Sequence, residues 1–279
     1  MGIRMYGLQL GHVGMDIEML LTGHPKYMLM PGEPIKPKVR YQCPCLAYII
    51  EHPEGRILFE TGVSPHWREE WPKAFKFIAE WDNLRPEDFL EARLKALGLG
   101  PEDFRYVIMG HMHMDHAGGL RLFEDANVEI VLHEDEYRGI LNLERDEHGF
   151  SRADFAFLPR KRPTLVYGNQ EFLKDVILVS LPGHTWGSLG MLVRLERTGW
   201  VFFTSDALHH HESYGPPRIG SMTHMFPDRA LESMEKIRRF ATRYEALIVP
   251  GHDETGIRQR KEGPTELVEL QYYPGHVYE

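Results

Sequence analysis

Residues 111–116 read His111-Met112-His113-Met114-Asp115-His116, four metal-capable side chains within six positions. An apolar run, Phe104 to Met109, leads into them, and the pair Gly118-Gly119 follows. Folding alone seldom demands such a cluster, because each buried imidazole or carboxylate must find a partner. At a strand end, residues two apart point to one side, so His111 and His113 can address one ion. Asp115 and His116 follow as the chain turns toward a helix and can be aimed at a second point. Imidazole and carboxylate donors suit zinc, iron, manganese or cobalt. Four donors cannot fill two sites, so a dinuclear centre needs ligands from elsewhere in the chain.

The sequence offers them directly after apolar strands. His184 follows Ile177 to Leu181, Asp206 follows Trp200 to Ser205, and His252 follows Leu247 to Val249. Each stands among turn residues at the C-terminal end of its strand, where a sheet gathers side chains from distant segments. Singly, each is an ordinary solvated turn residue. Jointly, they repeat one placement.

Working outward, residues 6–30 predict one or two opening strands, and the proline-rich stretch 32–44 predicts a loop. Strands follow at 45–51 and 56–60, joined by the turn His52-Pro53-Glu54-Gly55. Trp67, Trp71, Phe75, Ile78 and Trp81 share one helical face. Pro72 interrupts that face, predicting two short helices or a kinked one. The face is either core packing or an apolar wall over a ligand pocket, in which Trp67 and Trp71 would touch substrate. A helix starts at Arg85-Pro86-Glu87-Asp88 and ends at Gly98. Strands are predicted at 104–109, 128–133, 176–181, 189–196, 200–204 and 246–249. Ala117 to Leu120 opens one helix, 134–143 forms another, and 228–244 a long one with Leu231, Met234, Ile237 and Ala241 on its inner face. The charged stretch 145–170 predicts an excursion over the surface. Strands alternating with helices in both halves argue for one α/β domain over residues 1–279.

The chain has 279 residues, 42% of them hydrophobic, which is enough for a sizeable core. Its formal charge of −9 and lack of long basic runs argue against a nucleic-acid partner. The two cysteines, Cys43 and Cys45, are too close for an easy bridge and read as apolar residues entering a strand. No signal peptide, lipidation motif or membrane-length apolar run is visible, so a cytoplasmic location is expected. No G-x-S-x-G elbow competes with the metal cluster.

In this arrangement the chain resembles the metallo-β-lactamase superfamily. The motifs that carry the resemblance are His111-x-His113-x-Asp115-His116, Gly183-His184-Thr185, Ser205-Asp206 and Gly251-His252. The resemblance implies a four-layer αββα sandwich with the site on one edge of two sheets. It implies two divalent ions, zinc first among them. His111, His113 and His184 would hold one, Asp115, His116 and His252 the other, and Asp206 would bridge them. Within the superfamily the chain looks most like the N-acyl-homoserine lactone lactonases. The turn at residues 52–59, His133-Glu134-Asp135-Glu136, Glu212-Ser213-Tyr214-Gly215-Pro216-Pro217 and Gly251-His252-Asp253 match that group. A hydroxide between the ions would attack the lactone carbonyl, and Asp115 would pass a proton to the departing alkoxide. A small lactone would be the partner, without nucleic acid or membrane. A homodimer, with residues 67–81 as one candidate surface, is implied as well.

Two positions depart from the group. Glu60 stands where it usually has Asp orienting a ligand histidine, which Glu can do with a slightly shifted backbone. His209 stands where it usually has a tyrosine contacting the substrate carbonyl. His209 is the replacement donor, or it marks a different lactone, and Tyr214 is a second candidate for the contact. For His210 and His211 the plain reading is an exposed polar loop. The alternatives on this fold are a pyridoxolactone-type lactonase and an ester or thioester hydrolase.

Overall fold

Alternation within short apolar strands sorts their side chains into separate cores. In β3 (Ile57–Phe59), Leu58 enters one cluster and Ile57 and Phe59 another. The same split divides Val107 from Tyr106 and Ile108 in β4 (Tyr106–Ile108), and Ile130 and Leu132 from Val131 in β5 (Glu129–His133). A sheet buried on both faces requires this pattern. The architecture described here is a computed structural model, which describes residues 2–24, 26, 31–34, 39–220 and 223–279. Parts of the expected opening strands and proline-rich loop, residues 25, 27–30 and 35–38, lie outside the described residues.

The first sheet has six strands in the order β1 (Arg4–Asp16), β2 (Arg40–Glu51), β3, β4, β5 and β6 (Thr164–Val166). β1, β2 and β3 pair antiparallel, and β3 to β6 run parallel. The second has seven strands, in reverse chain order. They are β13 (Glu266–Glu269), β12 (Thr255–Arg258), β11 (Leu247–Val249), β10 (Gly199–Phe203), β9 (Leu189–Leu195), β8 (Val176–Ser180) and β7 (Gln170–Leu173). Only β10 and β11 pair parallel there. Ile57, Phe59, Ile108, Val131, Leu178, Met191, Val201, Phe203 and Val249 fill the space between the sheets. Val179, Leu192, Phe202 and Ile248 point the other way, onto the long helix α7 (Pro227–Tyr244). The outer face of the first sheet is covered by short helices, giving the four layers αββα.

Those helices are α1 (Trp67–Glu70), α2 (Lys73–Ile78), α3 (Leu90–Ala96), α4 (Met114–Ala117), α5 (Glu134–Leu141) and α6 (Leu158–Lys161). Pro72 separates α1 from α2, as its fixed φ and missing N–H require. The helix expected from Arg85 is a 3-10 turn at Pro86–Asp88, broken at Phe89 by an extended backbone before α3 begins. Several expectations are corrected. Of the loop drawn from 32 to 44, the residues from Arg40 onward are strand, because β2 pairs with β1 there. The helix after the His cluster starts at Met114, ahead of Ala117, so that Asp115 and His116 lie within it. Leu231 is 40% exposed, and Ala230 takes its inward place beside Met234, Ile237 and Ala241. Residues 145–170 are no surface excursion: Phe150 and Leu158 are fully buried, and β6 extends the sheet. Cys43 and Cys45 are buried free thiols at the start of β2. Among the described residues no helix is long and apolar enough to cross a membrane.

Candidate metal centre

The C-terminal ends of β4, β8, β10 and β11 meet at one edge of the two sheets. The loop after β4 and the first turn of α4 carry His111, His113, Asp115 and His116. His184 follows β8, Asp206 opens a 3-10 turn after β10, and His252 follows β11. His184 Nε2 lies 3.1 Å from His111 Nε2 and 2.8 Å from His113 Nδ1. His116 Nε2 lies 3.3 Å from His252 Nε2. His252 Nε2 lies 3.5 Å from Asp115 Oδ2. Asp206 sits between the groups: its Oδ2 is 3.3 Å from His184 Nε2 and from His252 Nε2, and its Oδ1 is 3.3 Å from His116 Nε2. The structure thus brings together all of the ligand-type residues singled out in the sequence, as two triads, His111–His113–His184 and Asp115–His116–His252.

Two glycines let the backbone pass close to these groups. A Cβ at Gly251 would fall 2.2 Å from Asp206 Oδ1, and one at Gly110 would fall 2.2 Å from Glu60 Oε1. The remote nitrogens of several of the imidazoles meet partners in turn, that of His113 excepted. His111 Nδ1 is 3.1 Å from Ser205 Oγ, which donates to Glu60 Oε1 at 2.7 Å. Glu60 Oε1 is also 3.3 Å from His116 Nδ1. His252 Nδ1 is 3.0 Å from the Pro44 carbonyl. Such partners fix ring orientation and tautomer. Glu60 adopts φ 66°, so the longer acid is accommodated by a left-handed backbone.

Burial lowers His111 and His184 well below the ordinary histidine range, and lowers His113 to about 4, so these three nitrogens are neutral donors. Burial acts on His116 in the same sense, but Asp206, Glu60 and Asp115 outweigh it and raise that ring. Asp206 does the same for His252 against burial. Burial works against the Asp206 carboxylate, yet His252, His116, His209 and His184 hold it well below the usual range. The carboxylates therefore call for buried positive charge. Divalent cations can supply it in exchange for the protons on His116 and His252. The donor set fits such ions on two further counts. The nitrogen–nitrogen approaches are close to the ~3.3 Å edge of a tetrahedron with 2.0–2.1 Å bonds. Asp206 Oδ1 is buried without a hydrogen bond, an orphan that an ion would satisfy.

Around this centre the structure adds residues that the motifs did not mark. Glu136 is fully buried and accepts from Met112 N–H and Gly187 N–H, both at 2.9 Å, which ties the loop after β4 to the loop after β8. Burial pushes its carboxyl up to about 7. Phe150 packs its ring 4.5 Å from that of His113 and stacks on Trp186. His224 reaches His184 from the segment before α7. Glu136 could have been found from the His133–Glu136 segment, but nothing in the sequence around His224 signals a role.

The substrate-contact expectations fare differently. His209 is 3% exposed with Nε2 3.3 Å from Asp206 Oδ2, beside the triads. The Tyr214 hydroxyl donates to Gln259 at 2.8 Å and its ring packs under Arg238. Trp67 and Trp71 are 5% and 3% exposed and pack with Trp81 in the first core, which leaves them little surface for a ligand. His210 and His211 are no exposed loop. His210 is buried, and His211 N–H and Nδ1 both lie 2.6 Å from Asp253 Oδ2, pinning the loop after β10 to the loop after β11.

The sequence model of the metallo-beta-lactamase superfamily matches residues 40–252. N-acyl homoserine lactonase AiiB of Agrobacterium fabrum is 28% identical over 268 residues, 91% of this chain and 94% of that protein. An N-acyl homoserine lactonase of a Bacillus species is 29% identical over 231 residues, 81% of this chain and 85% of that protein. A solved structure of a substituted B. thuringiensis AiiA, with N-decanoyl-L-homoserine bound at its active site, superposes with a TM-score of 0.75 at 26% identity, covering 91% of this chain and 94% of that one. With the matched segment running from the start of β2 to the last histidine of the centre, the chain belongs to the metallo-beta-lactamase superfamily and is a metal-dependent hydrolase.

Proposed function

We propose that this chain hydrolyses the ester ring of lactones, N-acyl-homoserine lactones first among them. The observation that carries this reading is that the seven ligand-type residues converge within a chain similar to named N-acyl homoserine lactonases over 91% of its length. His111, His113 and His184 would hold one divalent ion and Asp115, His116 and His252 the other, with Asp206 reaching both; zinc suits these donors. Ions held there supply an activated water at neutral pH and polarise the carbonyl under attack.

The chain's own groups do the rest. His209 donates its N–H to the carbonyl oxygen as that oxygen gains charge. Asp115, whose side chain keeps 17% exposure beside His252, takes the proton that the attacking water gives up and passes it to the ring oxygen as the C–O bond breaks. One water is consumed, leaving a carboxylate and a hydroxyl on the opened chain. Glu60, Ser205 and Glu136 keep the rings and loops in register throughout.

A second reading, a lactone other than an acyl-homoserine lactone, is favoured by one residue. His209 stands where the lactonase pattern has a tyrosine, which alters the donor facing the carbonyl. The test is pH-stat hydrolysis by metal-loaded protein over a panel. The panel holds short- and long-chain acyl-homoserine lactones, γ-lactones without the amide, and a pyridoxolactone. Turnover of the acyl-homoserine lactones is expected. Activity confined to another ring selects the second reading, and inactivity on all of them sinks the lactonase assignment.

A further inference from the structure

We propose that His224 is a positioning residue of the metal centre, holding His184 in place through an imidazole-to-imidazole hydrogen bond. The inference rests on the reading of His184 as a metal ligand. His184 turns Nε2 toward His111, His113 and Asp206, so only Nδ1 remains to orient the ring. That atom lies 3.2 Å from His224 Nδ1, with the two rings perpendicular at 89°. A neutral His184 that offers Nε2 to a cation carries its proton on Nδ1, and His224 Nδ1 is the acceptor.

Three other histidines of the two triads face oxygen at the same ring position, whereas His113 Nε2 is buried without a hydrogen bond. Ser205 Oγ stands against His111 Nδ1, Glu60 against His116 Nδ1, and the Pro44 carbonyl against His252 Nδ1. Carboxylates and carbonyls are the usual partners of metal-bound histidines. A neutral imidazole accepts through a single lone pair, so it fixes the His184 tautomer without adding negative charge. The backbone supports the pairing. Met225 N–H donates to the His184 carbonyl at 3.1 Å and Phe226 N–H to the Gly183 carbonyl at 2.9 Å, clamping the His224 segment against the His184 loop. His224 also stacks on His209, with centroids 5.0 Å apart at 18°. It therefore links a ligand of one ion to the residue read as the carbonyl donor.

The test is cobalt binding to the metal-depleted full chain, measured by competition with a chromophoric chelator and by the visible ligand-field spectrum. Neither readout depends on substrate. His224→Ala is expected to weaken one of two cobalt sites 10–100-fold and shift its spectrum, leaving the other site unchanged. His224→Asn, whose Oδ1 can accept where Nδ1 did, is expected to restore most of the affinity. Thermal melts of the metal-free forms supply the control, and those of wild type and His224→Ala should coincide within a few degrees. Wild-type affinity and spectrum in His224→Ala overturn the proposal while leaving the two-ion reading standing. So does a metal-free His224→Ala that has itself lost its fold, or a failure of Asn to rescue. Wild-type protein that takes up no cobalt overturns both.

Discussion

Removing the His209 ring takes one nitrogen from beside Asp206 Oδ2, 3.3 Å away, and one ring from beside His184, but the approach of His184 Nε2 to His111 and His113 does not run through it. The two functions of the site, binding ions and stabilising developing charge, can therefore be separated at this residue. His209→Ala is expected to lower kcat about 100-fold, the scale for losing one donor to an oxyanion, with metal content unchanged. Steady-state kinetics paired with metal analysis checks it. Metal lost in step with activity would make His209 a ligand instead. Glu60 shows the other kind of departure from the lactonase pattern. Its left-handed backbone, φ 66°, costs of order 1 kcal/mol for a residue with a Cβ. The cost is offset locally, since Glu60 Oε1 meets both Ser205 Oγ and His116 Nδ1. Strain at such a position is what a site built around fixed ring orientations leaves behind.

The segment from 145 to 170 carries an element-scale consequence that its charge conceals. Asp154 is fully buried there, and burial pushes its carboxyl up to about 7 despite the nearby Ser151 and Arg121. A carboxyl raised in the folded state contributes no penalty below its unfolded value near 3.8; the penalty grows as pH rises and levels off above 7. Asp154→Asn removes that dependence. The variant's melting temperature relative to the parent should climb between pH 4.5 and 7.5, by ~2–4 kcal/mol of stability. A constant difference across that range would refute the assignment. The same segment explains where the sequence could be read and where it could not. The gathering of ligand-type residues at strand ends was legible because donor chemistry and strand position coincide at His111, His184, Asp206 and His252. In 145–170, the exposed Arg152 and Arg160 mask Phe150 and Leu158, which are buried at wide spacing with no period. The strands β6, β7, β12 and β13 have three or four residues each, too few for a period of two to stand out. The aromatic face of 67–81 was legible at Trp67, Trp71, Phe75 and Trp81 but not at Ile78, which is 43% exposed, and its periodicity could not say whether Trp67 and Trp71 meet core or ligand. His224 had no local signal at all, since its partner lies 40 residues away.

At the scale of the molecule, the centre joins two sheets that otherwise meet through the apolar layer between them. His111, His113, Asp115 and His116 come from the first sheet's edge, and His184, Asp206 and His252 from the second's. On the proposed two-ion reading, ions shared across that edge would act as a clamp, because they would bind the assembled pair of sheets and not the separated strands. Their contribution follows mass action: at a free concentration 1,000 times the dissociation constant, one ion adds about 4 kcal/mol. Removing the ions would also leave the carboxylates of Asp206, Asp115 and Glu60 gathered around His116, with protons on His116 and His252 as the remaining compensation. That compensation fails as pH rises and those rings lose their protons. Chelation should therefore lower the melting temperature by roughly 10 °C for each ion lost, at 2–4 °C per kcal/mol for a chain of this size. The fall should be larger at pH 8.5 than at pH 6.5, and added zinc should reverse it. Calorimetry with and without chelator at the two pH values measures both quantities. A melting temperature indifferent to chelation would mean that the two sheets hold the ligands in place unaided, and that the centre is preorganised by Glu60, Glu136 and Asp253 alone.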